Sequence, residues 1–207
     1  MRENRNGVEQ SGNGLLAHRE SIDDTAKRNE KVLKTAFKEY KRARKGGFRG
    51  RLIVPLNSFA LANAEGGARI VGAFKMLDGG LRKNVIVEVF QLPRTLSVGL
   101  LDEITIPLLA FFEHYIADPE PDMIDFTLFT NLNYLGVVLD LGIESMKSGG
   151  GDMKDRVTKF WAAATKQKLK VFISGVKDRD ILDLARRYEA FAIDGPVLGN
   201  DRTALAK

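Results

Sequence analysis

The fold is indicated most clearly by KVFISGVKDRDILDLARRYEAFAIDGPVLG, residues 170–199. Its first apolar run, residues 170–173, has the length of a buried strand, and residues 178–188 carry apolar side chains at helical spacing. A second apolar run of strand length follows at residues 190–193. A strand, a helix and a strand in this order predict two parallel strands joined by a crossover helix.

The same alternation extends through the rest of the chain toward its N-terminus. Further apolar runs of strand length lie at residues 51–56, 85–90, 113–117 and 136–141. Helical spacing recurs between them, at residues 68–77, 99–112, 125–133 and 153–167. Six strands that alternate with helices predict an α/β fold in which helices cover a parallel sheet or barrel.

A long amphipathic helix is predicted before the first strand, over residues 21–45, with Ser21 as its N-cap and Gly46 as its stop. The first fifty residues hold 13 basic and 7 acidic side chains, so they account for the net charge of +5. This excess indicates either an acidic partner or a solvated helix face, and we favour the solvated face. Aromatic residues do not alternate with the basic ones, which argues against a single-stranded nucleic-acid partner.

Composition excludes several classes of protein. The chain has no cysteine, so disulfides and zinc-thiolate sites are excluded, and the cytoplasm is the expected location. No apolar run approaches the ~18 to 20 residues of a transmembrane helix. We predict four segments: a disordered tail at 1–20, a basic helix at 21–46, an α/β barrel domain at 47–200 and a C-terminal tail at 201–207.

Four stretches of the chain resemble one bacterial family. VLKTAFKEYKRA with RLIVPLNSFAL resembles the helix and the "VNLS…QL" strand of the EAL domains, and VIVEVFQLP resembles their "LEITE". LNYLGVVLDLG resembles the stretch that ends in "LKID", and ISGVKDRDILDLARRY…IDGPVLG resembles "AEGVETEEQLELL…QGYYF". The order and spacing of the four are those of the family, over about residues 22–199.

The resemblance implies a fold and an activity. EAL domains are modified TIM barrels that hydrolyse cyclic-di-GMP by metal-assisted attack of water. That chemistry needs carboxylate and carbonyl oxygens around divalent cations, and a water that loses a proton.

The residues that stand at the family's chemical positions lack this chemistry. Pro55 stands at the metal-binding Asn, Gln91 at a metal-binding Glu and Val138 at the catalytic Lys. The two Glu of "AEGVE" correspond to Ser174 and Lys177, the Gln of "QGY" to Asp194, and one Asp of the paired "DD" to Asp118. A shift of two residues along the first strand keeps the same face and would place Asn57 at the Asn position instead.

The sequence matches the family at several positions that are important for the fold, although it differs at the positions that carry the chemistry. Gly175 with Val176, Gly195 and Asp140 match the family. Glycine at strand ends and turns serves unusual backbone angles or close approach, so these matches indicate fold rather than chemistry. The predicted apolar core positions are Ile53, Val87, Val137, Phe172 and Ile193.

The family's "EAL" strand, with its metal-binding Glu and substrate-binding Arg, would lie before residue 22, where no such pattern exists. A TIM-type barrel ordinarily has eight strands, so six predict an incomplete barrel with an open edge. The N-terminal helix, a protein partner, a second copy of the chain or an unrecognised strand would cover that edge.

The function predicted first is that of a catalytically inactive EAL-like regulatory or protein-interaction module in bacterial signalling. A sensor that binds cyclic-di-GMP or another nucleotide without cleaving it is the alternative, and an active phosphodiesterase with displaced ligands is a third. No catalytic residue, metal ligand or cofactor is predicted. The candidate ligand-binding residues are Asn57, Glu88, Gln91, Asp118, Asp140, Ser174, Lys177 and Asp194.

Overall fold

The computed structural model describes residues 2–5, 8–11, 21–93, 95–120, 123–142 and 153–199. The strands are β1 Arg2–Arg5, β2 Val8–Ser11, β3 Leu52–Asn57, β4 Val85–Phe90, β5 His114–Ala117, β6 Gly136–Asp140, β7 Lys170–Ser174 and β8 Ala192–Ile193. The helices are α1 Ile22–Lys45, α2 Ser58–Ala62, α3 Ala64–Phe74, α4 Gly79–Arg82, α5 Val98–Leu109, α6 Thr127–Asn131, α7 Met153–Lys166 and α8 Arg179–Arg187, and a 3₁₀ helix spans Pro196–Leu198.

Strands β3 to β8 form a six-stranded sheet in chain order, which confirms the predicted α/β fold. The register shows parallel pairing of β3 with β4, of β5 with β6, of β6 with β7 and of β7 with β8. Central strands such as β4 and β6 are buried along nearly their whole length, and their apolar composition is typical of parallel strands that are buried on both faces. Within the described part of the chain, the strand order runs from β3 to β8 without returning to β3.

Two compact units make up the described chain, one up to Tyr115 and one from Ile116 onward. In the first unit, α1 packs against α2, α3 and β3. Its buried face includes Leu33, Phe37 and Tyr40, and burial of each such side chain contributes about 1.5 to 3 kcal/mol. As predicted, Ser21 caps α1, since its hydroxyl accepts a hydrogen bond from the Asp24 N–H at 3.1 Å.

The first unit differs from the sequence prediction just after β3. The helix expected at residues 68–77 begins at Ala64, and the short helix α2 precedes it. Gly66 lies where a Cβ atom would come within 2.5 Å of the Ala60 carbonyl oxygen, so glycine is required there by the close approach of α3 to α2. Paired glycines lower the helix propensity of a sequence, and this concealed the true start of α3.

Two of the five predicted core positions are not buried. Ile53 is 38% exposed and Ile193 is only half-buried, whereas Val87, Val137 and Phe172 are buried as expected. Successive side chains of a strand point to opposite faces, and the neighbouring Val54 takes the buried face of β3.

In the second unit, α7 packs on β6 and β7. Phe160 of α7 meets Phe126 edge to face, with ring centroids 5.0 Å apart, and both rings are buried. Trp161 stacks on Tyr188 with centroids 5.3 Å apart. Phe126 precedes α6 and Tyr188 follows α8, so these contacts attach α7 to the ends of its neighbouring helices.

The predicted tails lie mostly outside the described residues. Within residues 1–20, where the sequence predicts disorder, β1 and β2 pair as antiparallel strands, and Asn-Gly, the commonest sequence of a two-residue hairpin connection, stands between them. The C-terminal tail at 201–207 is not described, and the four segment boundaries stay predictions. In the ranges that are described, no helix combines the length and the apolar character needed to cross a membrane.

Candidate functional site

Asn57 and Gln91 lie together at the carboxyl ends of β3 and β4 in the first unit. Asn57 ends β3 and opens α2, and its Oδ1 accepts hydrogen bonds from the N–H groups of Phe59 at 3.0 Å and Ala60 at 3.2 Å. Its Nδ2 donates to Oε1 of Gln91, and the Ser58 hydroxyl donates to the Gln91 carbonyl oxygen at 2.7 Å. This hydrogen-bonded group is called the amide cluster below.

The amide cluster is a closed arrangement. Asn57 is 2% exposed, and both ends of its carboxamide have partners. Gln91 has φ of 56°, a left-handed conformation that costs a non-glycine residue about 1 kcal/mol or more. The hydrogen bonds from Asn57 and Ser58 stabilise that conformation.

The register favours Asn57 over Pro55 as the residue at the end of the first barrel strand. Pro55 is opposite Glu88, two residues inside the strand pair, whereas Asn57 is opposite Phe90, the residue before Gln91. Glu88 is half-buried within β4. The structure therefore brings Asn57 and Gln91 together and leaves Pro55 and Glu88 away from the strand ends.

In the second unit, four candidate residues stand at the carboxyl ends of successive strands. Asp118 follows β5 and is 8% exposed, and Asp140 ends β6 opposite Ser174, the last residue of β7. Asp194 follows β8, and the Ser174 hydroxyl donates to its Oδ2 at 3.4 Å. Ligands of parallel α/β sheets bind at this end of the strands.

Backbone contacts around the last two strands fix this edge of the second unit. The Val176 N–H donates to the Asp194 carbonyl oxygen at 3.0 Å, and the Val197 N–H donates to the Val176 carbonyl oxygen at 3.1 Å. Gly195 has φ of 149°, and a Cβ there would lie closer than 3.0 Å to Val176 backbone atoms. Lys177, the residue after Val176, is exposed.

The sequence prediction missed two contacts. Gly175 has φ of 74° and leaves room for Gly142, whose N–H donates to Oδ1 of Asp140 at 2.8 Å. Ser58 closes the amide cluster, and the Asn57-Ser58 pair at the end of an apolar run is a helix N-cap signal that could have identified it.

The described residues do not fit the divalent metal that the family's chemistry requires. Oδ1 of Asn57 already accepts two backbone N–H groups, and Oε1 of Gln91 faces an N–H donor. Val138, which the sequence resemblance aligns with the family's lysine, is a buried residue of β6. Across the described ranges, no three His, Cys, Asp or Glu residues group closely enough to hold a metal ion.

Comparison with solved structures decides the fold. PaMucR phosphodiesterase, in a complex with cyclic-di-GMP, superposes with a TM-score of 0.75 over 96% of this chain and 81% of its own, at 18% identity. The chain has the fold of an EAL domain. The FimX EAL domain gives a TM-score of 0.72 over 99% of this chain and 82% of its own, at 16% identity.

A third EAL structure extends the comparison. The Bacillus subtilis YkuI protein, in complex with cyclic-di-GMP and calcium, gives a TM-score of 0.70 at 9% identity, and the match covers 100% of this chain and 50% of YkuI. No protein-family model matches this chain, and no curated protein matches it significantly. The chain thus shares the fold of EAL domains, but at these sequence identities a shared fold does not show a shared activity.

Proposed function

We propose that this chain is a catalytically inactive EAL-like module that acts by protein interaction or regulation in bacterial signalling. The observation that carries the proposal is the amide cluster. Where EAL phosphodiesterases place metal-binding oxygens, the carboxamide of Asn57 is used at both ends by protein groups.

A further feature supports inactivity. Val138 stands where the resemblance places the family's catalytic lysine, so no cation at that position can orient water or neutralise a phosphate. Loss of positions that act as a unit removes most of the rate enhancement of an enzyme.

Hydrolysis of cyclic-di-GMP tests the proposal. With magnesium or manganese, we expect product formation equal to that of a control without protein, while PaMucR phosphodiesterase assayed in parallel shows turnover. Gln91→Glu restores one carboxylate and is also expected to remain inactive, because Val138 still supplies no cation. Metal-dependent hydrolysis that disappears in Gln91→Ala would overturn the proposal.

A sensor that binds cyclic-di-GMP without cleaving it is the second candidate. The observation that favours it is that EAL structures similar to this chain, including PaMucR phosphodiesterase and YkuI, hold cyclic-di-GMP. In the second unit, the exposed Lys177 could supply a cation for phosphate, and the Ser174 hydroxyl could donate to phosphate in place of Asp194.

Calorimetric titration with cyclic-di-GMP separates the two candidates. A sensor should give a saturable heat, and Lys177→Ala should weaken binding about tenfold if the lysine pairs with phosphate. Lys168→Ala, an exposed lysine before β7, is the matched control and should leave the affinity unchanged. Absence of heat at high micromolar ligand would reject the sensor and leave the interaction module.

A further inference from the structure

The C-terminal half of α1 borders a groove of about 720 Å³ in the first unit. Phe37 and Met76 provide its apolar lining, and the cationic side chains along it are Lys34, Lys38, Lys41, Arg42 and Lys45. Glu39 also lines the groove and lies 3.8 Å from Arg42. Phe37 is buried, whereas Met76 is 48% exposed and open to a partner. The groove thus combines an apolar floor with a basic rim.

Four lysines form a row along this rim. Lys34, Lys38, Lys41 and Lys45 follow one another at intervals of four, three and four residues, which places them on one face of the helix. Eleven residues of α-helix rise by about 16 Å, so the row has the length of roughly three helical turns. These residues are called the lysine row.

Internal partners use only part of the charge of the lysine row. Lys34 pairs with Glu30 at 2.6 Å, and this hydrogen bond lowers the pKa of Glu30. Lys41 donates to the Met76 carbonyl oxygen at 2.6 Å and lies 3.3 Å from Asp78. Among the described residues, no ion pair involves Lys38 or Lys45, and both are exposed. The middle and the end of the row are therefore open to external carboxylates.

We propose that this groove docks an acidic amphipathic helix of a protein partner. Its apolar side chains would cover Met76, and its carboxylates, spaced by three and four residues, would pair with Lys38 and Lys45. The inference rests on the proposed function, because it specifies the partner of the interaction module.

The shape of the groove favours this occupant over other polyanions. A nucleic acid presents phosphates that gain nothing from an apolar floor, and its binding is mainly electrostatic. A membrane surface is broad, whereas the exposed apolar lining of the groove is confined to Met76 beside α1. A helix about 10 Å wide can place apolar and acidic side chains into the same groove.

The test uses two synthetic peptides of about 15 residues, which is four helical turns. One has leucines on one face and glutamates at three- and four-residue spacing beside them, and the other has the same composition in scrambled order. Fluorescence anisotropy should show that the patterned peptide binds, and that the scrambled one binds about tenfold more weakly or less.

Charge reversal in the protein provides the matched comparison. Lys38→Glu with Lys45→Glu should weaken binding of the patterned peptide about tenfold or more. Lys31→Glu with Lys83→Glu changes the net charge equally at exposed lysines that do not line the groove, and it should change binding less than about twofold. Met76→Ala should also weaken binding, because the apolar floor is reduced.

Several results would reject the docking groove. They are equal binding of the scrambled peptide, an equal loss in the Lys31/Lys83 control, no binding at about 1 mM peptide, or tighter lysine-dependent binding to a DNA duplex or to phosphatidylglycerol vesicles. Hydrolysis of cyclic-di-GMP is measured on the same preparations. Failed docking without hydrolysis rejects the groove alone, whereas hydrolysis rejects the proposed function.

Discussion

Gly195→Ala is expected to destabilise the second unit by about 4 kcal/mol, which is at the upper end of single-substitution effects. The added Cβ would lie closer than 3.0 Å to the nitrogen and the oxygen of Val176, so it meets backbone rather than a side chain that can rotate. The φ of 149° adds strain for any residue with a Cβ. To relieve the clash, the turn must move and break the hydrogen bonds of Val176 with Asp194 and Val197.

The single tryptophan, Trp161, lies in the second unit and reports its unfolding by fluorescence in urea. Gly199→Ala is the matched control, because Gly199 also has a positive φ of 119° but a Cβ there meets nothing within 4 Å. In Gly199→Ala, only the backbone strain should lower the free energy of unfolding, by about 1 to 2 kcal/mol. Equal losses in the two variants would show that strain, and not close packing against Val176, explains the requirement for glycine.

The alternation of strands and helices could be predicted because it depends on local patterns. Apolar runs such as residues 85–90 and 136–140 are buried on both faces in the structure, so their composition alone identifies them as strands of a parallel sheet. The special backbone angles at residues 175 and 195 could also be predicted, because each of these positions is a glycine and has a positive φ. Glycine adopts such angles more readily than other residues.

The sequence could not predict which residue lies at the carboxyl end of β3. Pro55 and Asn57 share one face of a strand, so a resemblance in sequence allows either to occupy the same place. The choice depends on where β3 ends, and that point is set by the hydrogen bonds of Asn57 to α2 and Gln91. The exposure of Ile53 has a similar origin, since an apolar run does not reveal which of its faces is covered.

The contacts of the second unit's candidate residues were also beyond the sequence. Ser174 and Asp194 are twenty residues apart, and the crossover helix α8 between β7 and β8 brings them within hydrogen-bond distance. Asp140 was predicted as a scaffold position, and its hydrogen bond to the Gly142 N–H is consistent with that role.

Asn57→Ala is expected to destabilise the first unit by about 2 to 3 kcal/mol. Loss of an N-cap acceptor costs about 1 kcal/mol, and here the acceptor serves both Phe59 and Ala60. The substitution also removes the donor to Gln91, whose left-handed backbone then keeps only the Ser58 contact. An unsatisfied, partly buried polar group adds about 1 kcal/mol or more.

Hydrogen exchange at the Phe59 and Ala60 amides measures this effect where it arises, because these are the groups that Asn57 satisfies. Asn63→Ala, which removes a single hydrogen bond to the Gly66 N–H from an exposed N-cap, is the matched control and should cost about 1 kcal/mol. Asn57→Asp keeps the acceptor for the two backbone N–H groups, and Gln91 can turn its amide to donate to the new carboxylate. Asn57→Asp should therefore lower the free energy of unfolding by less than half as much as Asn57→Ala. If Ala and Asp cost the same, the carboxamide of Asn57 does not hold the amide cluster together, and the main structural argument for a blocked metal site fails with it.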